Sequence, residues 1–151
     1  MLKVVNERLS KSFINFRSKF VSKGNSSQIE HSILNAFKLI KKKIKTNPFF
    51  FFFEAVERVR FSILLQVFER KKKKTIKKIV IPKLIKKWIR YKRALYLLSK
   101  SIKLRKDYFL HDKISNELIE ITLYKKSSMY LKKREIYNFA HFYHYNSFNI
   151  S

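Results

Sequence analysis

The sequence has no cysteine, one glycine (Gly24) and two prolines (Pro48 and Pro82) in 151 residues. Without cysteine there is no disulfide, no thiolate chemistry and no zinc site that uses sulfur. A dinucleotide fingerprint or a phosphate loop needs two or more glycines at fixed spacing, so a single glycine excludes both. A many-stranded β protein needs many turn formers, and their scarcity points to helices joined by short connections. Acids are also few. Ten Asp and Glu stand against 36 Lys and Arg, a formal net charge of +26. No uncharged apolar run approaches the ~18 residues that span a bilayer. The longest candidates, 46–53 and 61–68, are bounded by charge. No apolar segment follows the first basic residues, as a secretory signal would require.

What is present is a core-forming chain. Hydrophobic residues make up 46% of it and aromatic residues 16%, well above what a disordered basic tail carries. Such a chain folds against heavy self-repulsion, which a persistent polyanionic partner would relieve. Fifteen Phe and eight Tyr, with abundant Lys, Ile and Asn, are residues of A/T-rich codons, while Gly and Pro, which need G/C-rich codons, are nearly absent. This composition points to an AT-biased genome, an organelle or a reduced parasite.

The apolar spacing predicts about six helices and one hairpin in a single domain over 1–151. Leu9, Phe13, Phe16 and Phe20 share one helical face, and Gly24 is placed to stop that helix. Ser27-Gln-Ile-Glu30 reads as a capping box opening a second helix with Ile29, Ile33, Phe37, Ile40 and Ile44 on one face and Lys41–Lys45 near its end. Asn47 and Pro48 suit the cap and first position of a third helix, 48–60. In its run of five phenylalanines, Phe49, Phe52 and Phe53 fit one face together with Val56. From 61 to 82 the helical period is lost. Two branched-residue runs flank Glu69-Arg70-Lys71-Lys72-Lys73-Lys74, which reads as a β-hairpin with a cationic tip, Pro82 ending its edge strand. A fourth helix over 84–104 has the stripe Trp88, Tyr91, Leu95, Leu98 and Ile102. A fifth, near 109–123, uses Leu110, Ile114, Leu118 and Ile121. A sixth starts after Ser128 and leads into an aromatic tail, 139–151.

Little here supports catalysis. Glu54, Glu57 and Glu69 lie near Arg58 and Arg70, and Glu135 follows Arg134, the pattern of local charge pairing rather than of a paired-carboxylate acid–base site. Of the histidines His31, His111, His141 and His144, the last two sit at i, i+3, but no acid lies near them to complete a metal set. The reading is therefore no enzyme, no metal and no cofactor. The basic clusters are the strongest signal, because they recur on five elements: 41–45, 70–74, 83–93, 103–106 and 132–134. Many Lys and Arg contacts to phosphates give strong, salt-sensitive binding. Nucleic acid is the leading partner, and an anionic membrane surface is the second.

The ordered set of motifs resembles the small-subunit ribosomal protein S7 family. Lys19-Phe20-Val21-Ser22-Lys23-Gly24 followed by Ile33-Leu34-Asn35-Ala36-Phe37 is similar to its first two helices and their turn. Glu54-Ala-Val-Glu-Arg-Val-Arg60 resembles the end of its third helix. Ile81-Pro82, Lys86, Arg90 and Arg93-Ala94-Leu95 look like its second strand entering the fourth helix. Ser115-Asn116-Glu117-Leu118 falls in the fifth helix, and Leu131-Lys132-Lys133-Arg134-Glu135 opens the last. The resemblance implies a mostly α fold with a protruding basic β-hairpin between the third and fourth helices. It implies binding of small-subunit rRNA in the head during assembly, beside neighbouring head proteins and near the exit-site tRNA and the mRNA path, with no membrane partner. The RNA contacts it implies are Arg8, Lys11 and Arg17; Arg70, Lys71, Lys72, Lys73, Lys74, Lys77 and Lys78; Lys83, Lys86, Lys87, Arg90 and Arg93; and Lys132, Lys133 and Arg134. The hairpin tip has lysines where the family often has glycines. Residues 1–23 then read as a retained helix, and the expected compartment is the mitochondrion, with a plastid-type organelle as the alternative. A DNA-binding helical protein and a membrane-surface amphipathic protein are the competing functions.

Overall fold

The computed structural model describes residues 11–72 and 75–148, without the side chains of 70–72, 75–78 and 145–148. Within these, six helices and one two-stranded antiparallel sheet follow in the order α1 (11–18), α2 (Ser26–Ile44), α3 (Pro48–Val59), β1 (Ile63–Lys72), β2 (Thr75–Leu84), α4 (Lys87–Leu104), α5 (Leu110–Ile119) and α6 (Ser128–Phe148). The fold is mostly α with a hairpin between the third and fourth helices, as the sequence led us to expect.

One hydrophobic core joins α1 to α5. Phe16 and Phe20 enter it from the first helix and the turn after it. Ile29, Ile33, Ala36, Phe37 and Ile40 come from α2, and Leu95, Leu98 and Ile102 from α4. Ile114 and Leu118 come from α5, and Ile121 from the turn that follows. The predicted stripes of α2 and α5 are thus the buried ones, except that Ile44 and Leu110 are only partly buried. Leu9 lies outside the described residues.

Several local expectations are corrected. The capping box does not form. α2 begins at Ser26 after Asn25, with no side-chain cap. Glu30 pairs instead with Arg17 of α1, a charge-assisted contact that outcompetes reaching back to a neutral amide. Gly24 does not cap α1 directly. It sits beyond the end of that helix with φ of 85°, where only the backbone angle asks for glycine. In α3, Asn47 caps the amide of Phe49 as expected. The buried face, however, is Phe51, Phe52, Ala55, Val56 and Val59, rotated from the predicted one, and Phe49 and Phe50 are exposed. Phe49 still meets the rings of Phe13 and Phe37, 6.1 and 5.3 Å away between centroids. A run of five identical apolar residues cannot mark its own face. Small Ala55, every atom of it buried, fixes the side of closest approach.

The hairpin spans 63–84, shifted two residues toward the C-terminus from the expected 61–82. Its register runs from Ile63↔Leu84 at the base to Lys72↔Thr75, so Pro82 lies within β2, opposite Leu65. In a two-stranded sheet both strands are edges, and a proline facing away from the ladder costs no bond. Ten residues per strand reach about 33 Å. Arg70–Lys72 therefore belong to a paired strand rather than to the tip, and Lys77–Lys78 lie in the second strand as expected. The turn itself, Lys73-Lys74, lies outside the described residues.

α4 starts at Lys87 rather than 84, and Trp88, read as core, is 64% exposed. The core reaches α4 only from Tyr91 onward. After Ile119 the chain widens into a π-helical turn, Glu120–Tyr124, closed by Lys125 at φ 53°. The aromatic segment after 139 continues α6 as helix to Phe148.

Candidate nucleic-acid interface

α6 is the peripheral helix, and it anchors the hairpin. It packs against β1, β2, α3 and α4. The Tyr137 hydroxyl accepts from the backbone N–H of Ser62 at 3.0 Å and hydrogen-bonds its Oγ at 2.8 Å. Burial alone would raise the phenol's pKa. The Ser62 hydrogen bonds and the nearby Lys133 charge outweigh it, and the net direction is down. The amide of Ile85 donates back to the Ser62 carbonyl at 2.7 Å, and Arg90 Nε donates to the Ile85 carbonyl at 2.7 Å. One knot of polar bonds thus ties α6, the hairpin base and α4 together. A long two-stranded arm would be marginal alone, and this knot holds it at a fixed angle.

The structure divides the predicted contacts into three groups. The first lies around the hairpin base. Leu64, Leu65, Arg93, Lys132, Glu135, Ile136 and Phe139 line a cleft of about 470 Å³ that brings cations of α4 and α6 to one place. Arg93 also lies 5.9 Å from the Phe61 ring, which orients it. Lys83, Lys86, Lys87 and Arg134 are exposed around this base. Arg134 shares a second, smaller depression with Tyr130, Lys133 and Tyr137.

The second group is engaged within the fold. Arg17 holds Glu30. Arg90 is bound to Ile85. Lys133 Nζ donates to the Arg58 carbonyl at 2.8 Å and lies 5.9 Å from the Tyr137 ring. Burial pushes the Lys133 ammonium below the ordinary lysine pKa. Its first role is to pin α6 to the end of α3. The third group is placed only by position. Lys11 is exposed on α1, far along the chain from the hairpin. Arg70 stands opposite Lys77, and Glu69 opposite Lys78, in the ladder. Arg8, Lys73 and Lys74 lie outside the described residues.

Acids cannot neutralise this surface. Even if all ten were paired, 36 − 10 = 26 cations would remain. Those in described pairs mostly hold arginines, as in Arg58–Glu54 at 2.6 Å and Arg60–Glu57 at 2.7 Å. The expected local pairing is seen there.

The densest polar centre escaped the sequence reading. Arg105, just after α4, donates to Asp107 at 2.7 Å, to Glu117 at 2.7 Å and to both oxygens of Glu120 at 2.8 Å. Glu117 also accepts from Ser101 at 2.7 Å and Ser127 at 2.6 Å. The Arg105 guanidinium holds the Asp107 and Glu120 carboxyls below the ordinary range, and Glu120 in turn raises Arg105. The one signal was the i, i+3 spacing of Glu117 and Glu120, but Arg105 is too distant in sequence to be matched to them. The arrangement is a structural lock joining α4, α5, the π turn and α6. Each of its carboxylates accepts from Arg105, the pattern of an ion-pair network centred on one guanidinium.

Comparison with curated proteins returns no significant match. Comparison with protein families returns one described as ribosomal protein S7p/S5e, matching residues 2–142. That match takes in the core helices, the hairpin, the knot at its base and most of α6. The chain belongs to the ribosomal protein S7p/S5e family, whose members are structural, RNA-binding constituents of the small ribosomal subunit.

Proposed function

We propose that this protein binds small-subunit rRNA in the head of the subunit, early in assembly, and lies near the exit-site tRNA and the mRNA path. The observation that carries this reading is the gathering of the hairpin base, Arg93 and Lys132 around one cleft, with a cationic arm anchored beside it. The hairpin cations Arg70–Lys74, Lys77 and Lys78 contact the phosphates of the RNA. Lys83, Lys86, Lys87, Arg93, Lys132 and Arg134 hold the backbone near the base, and Arg8 and Lys11 extend the footprint. Arg17, Arg90 and Lys133 act first as braces, and their effect on RNA passes through the geometry they hold. Neighbouring head proteins cover part of the exposed aromatic surface.

The residue usage supports an organellar ribosome. The enrichment in Phe, Tyr, Lys, Ile and Asn, with one Gly and two Pro, fits an AT-biased genome. The mitochondrion is the first assignment and a plastid-type organelle the second. The test is sedimentation of an organelle lysate in moderate salt, followed by recovery of RNA crosslinked to the chain. The reading expects co-migration with the small subunit and crosslinks to its rRNA. A free monomer without ribosomal RNA, or selective retention on duplex DNA, would overturn it.

A further inference from the structure

The outward face of α4 carries a row that the cleft does not use. Trp88, Lys92, Tyr96 and Lys100 follow one another at intervals of four, and all four are exposed, Trp88 by 64% and Tyr96 by 53%. Steps of four residues advance about 40° around a helix, so the row winds by about 120° from Trp88, which continues the core stripe beyond the end of the core, to Lys100, turning progressively away from buried Leu95, Leu98 and Ile102. Lys92 Nζ lies 5.5 Å over the Trp88 ring, which engages one face of the indole. At the far end, Lys19, Tyr96, Ser99, Lys100 and Lys103 line a depression of about 210 Å³. From Lys87 to Leu104 there are six cations and no acid.

We propose that this row binds a single-stranded RNA segment, stacking unpaired bases on Trp88 and Tyr96 and neutralising its phosphates with Lys92 and Lys100. The proposal rests on the RNA-binding reading above and adds to it the kind of RNA and the residues that select it. Aromatic planes and ammonium groups alternate along the helix as bases and phosphates alternate along a strand. The two rings are eight residues apart, about 12 Å along the axis. Stacked bases rise only about 3.4 Å, so the bases that meet these rings are splayed, as in a loop or a bulge. A duplex keeps its base faces hidden. A protein partner fits less well, because lysine is depleted from protein–protein interfaces while it is the ordinary ligand of phosphate.

Trp88 is the only tryptophan in the chain, so its emission reports on this site alone. The experiment titrates the full chain with a short adenine oligoribonucleotide and with a blunt RNA duplex of the same length. The single strand should quench Trp88 emission and the duplex should not. Trp88→Ala and Tyr96→Ala should each weaken oligonucleotide binding about tenfold, and Trp88→Phe should retain most of it. Lys92→Ala with Lys100→Ala should flatten the salt slope by about 1.4, two single-strand phosphate contacts. Failure of the single strand to bind, unchanged emission on binding, equal quenching by the duplex, or wild-type affinity in Trp88→Ala/Tyr96→Ala would each overturn the row. Wild-type rRNA binding by that double variant overturns the row alone. Failure of the unaltered chain to bind small-subunit rRNA overturns the reading beneath it.

Discussion

Glu117 is only 2% exposed, and its two carboxylate oxygens accept from Ser101, Ser127 and Arg105. A buried charge so placed is tolerable only while its partners remain. Arg105→Ala strands it, and the expected loss is about 3–5 kcal/mol, read as a lower urea midpoint and melting temperature. The pH dependence follows from the depressed pKa values of Asp107 and Glu120. The unfolded chain takes up protons first as pH falls. Their stabilisation is therefore complete above the ordinary carboxylate pKa of about 4 and is lost as pH drops through the lower folded values. The gap between wild type and Arg105→Ala should shrink below about pH 4. A gap that stays constant into strong acid would remove the ion-pair explanation. Residue-level roles were the least legible in the sequence. Lys133 stands in a basic run beside Lys132 and Arg134, yet packing turns it inward to Arg58. Nothing in the run itself marks which lysine faces the protein.

At the scale of elements the sequence was more informative, for a physical reason. α2 and α5 bury every third or fourth residue, and that period is written directly in Ile29, Ile33, Phe37 and Ile40 and in Ile114, Leu118 and Ile121. α3 was readable as a helix from its cap, but its face was not, because five consecutive phenylalanines are the same from every side. Trp88 fitted the α4 stripe by spacing, and only the tertiary fold shows that the core stops one turn short of it. The basic clusters were visible as clusters. Their convergence at the hairpin base depends on α6 crossing that base, which no local pattern encodes. The hairpin is where element-scale function is tested. Changing Lys71, Lys72, Lys73 and Lys74 together to Ala should weaken binding to small-subunit rRNA and flatten its salt slope by about 0.7–0.9 for each phosphate contact removed. Near-UV spectra should change little, since the core lies elsewhere. An unchanged slope would reject these lysines as contacts.

The whole molecule is governed by its charge. A net +26 is confined to a body whose radius of gyration is about 15 Å by the usual size scaling. Self-repulsion at that density opposes folding, and screening weakens it, since the Debye length falls from about 10 Å at 0.1 M salt to about 3 Å at 1 M. The melting temperature of the free chain should rise with salt over this range and rise further with a structured RNA at low salt. A melting temperature indifferent to both would mean that repulsion is compensated within the fold. A ligand that binds only the native form stabilises it, so bound RNA is expected to offset this repulsion. The most direct test of the account is a cryo-EM reconstruction of the particle purified through this chain. The expected particle is a small ribosomal subunit in which the hairpin from Ile63 to Leu84 and the start of α4 lie against rRNA in the head. A particle with the chain elsewhere, or with the hairpin and α4 facing only protein or solvent, would contradict it.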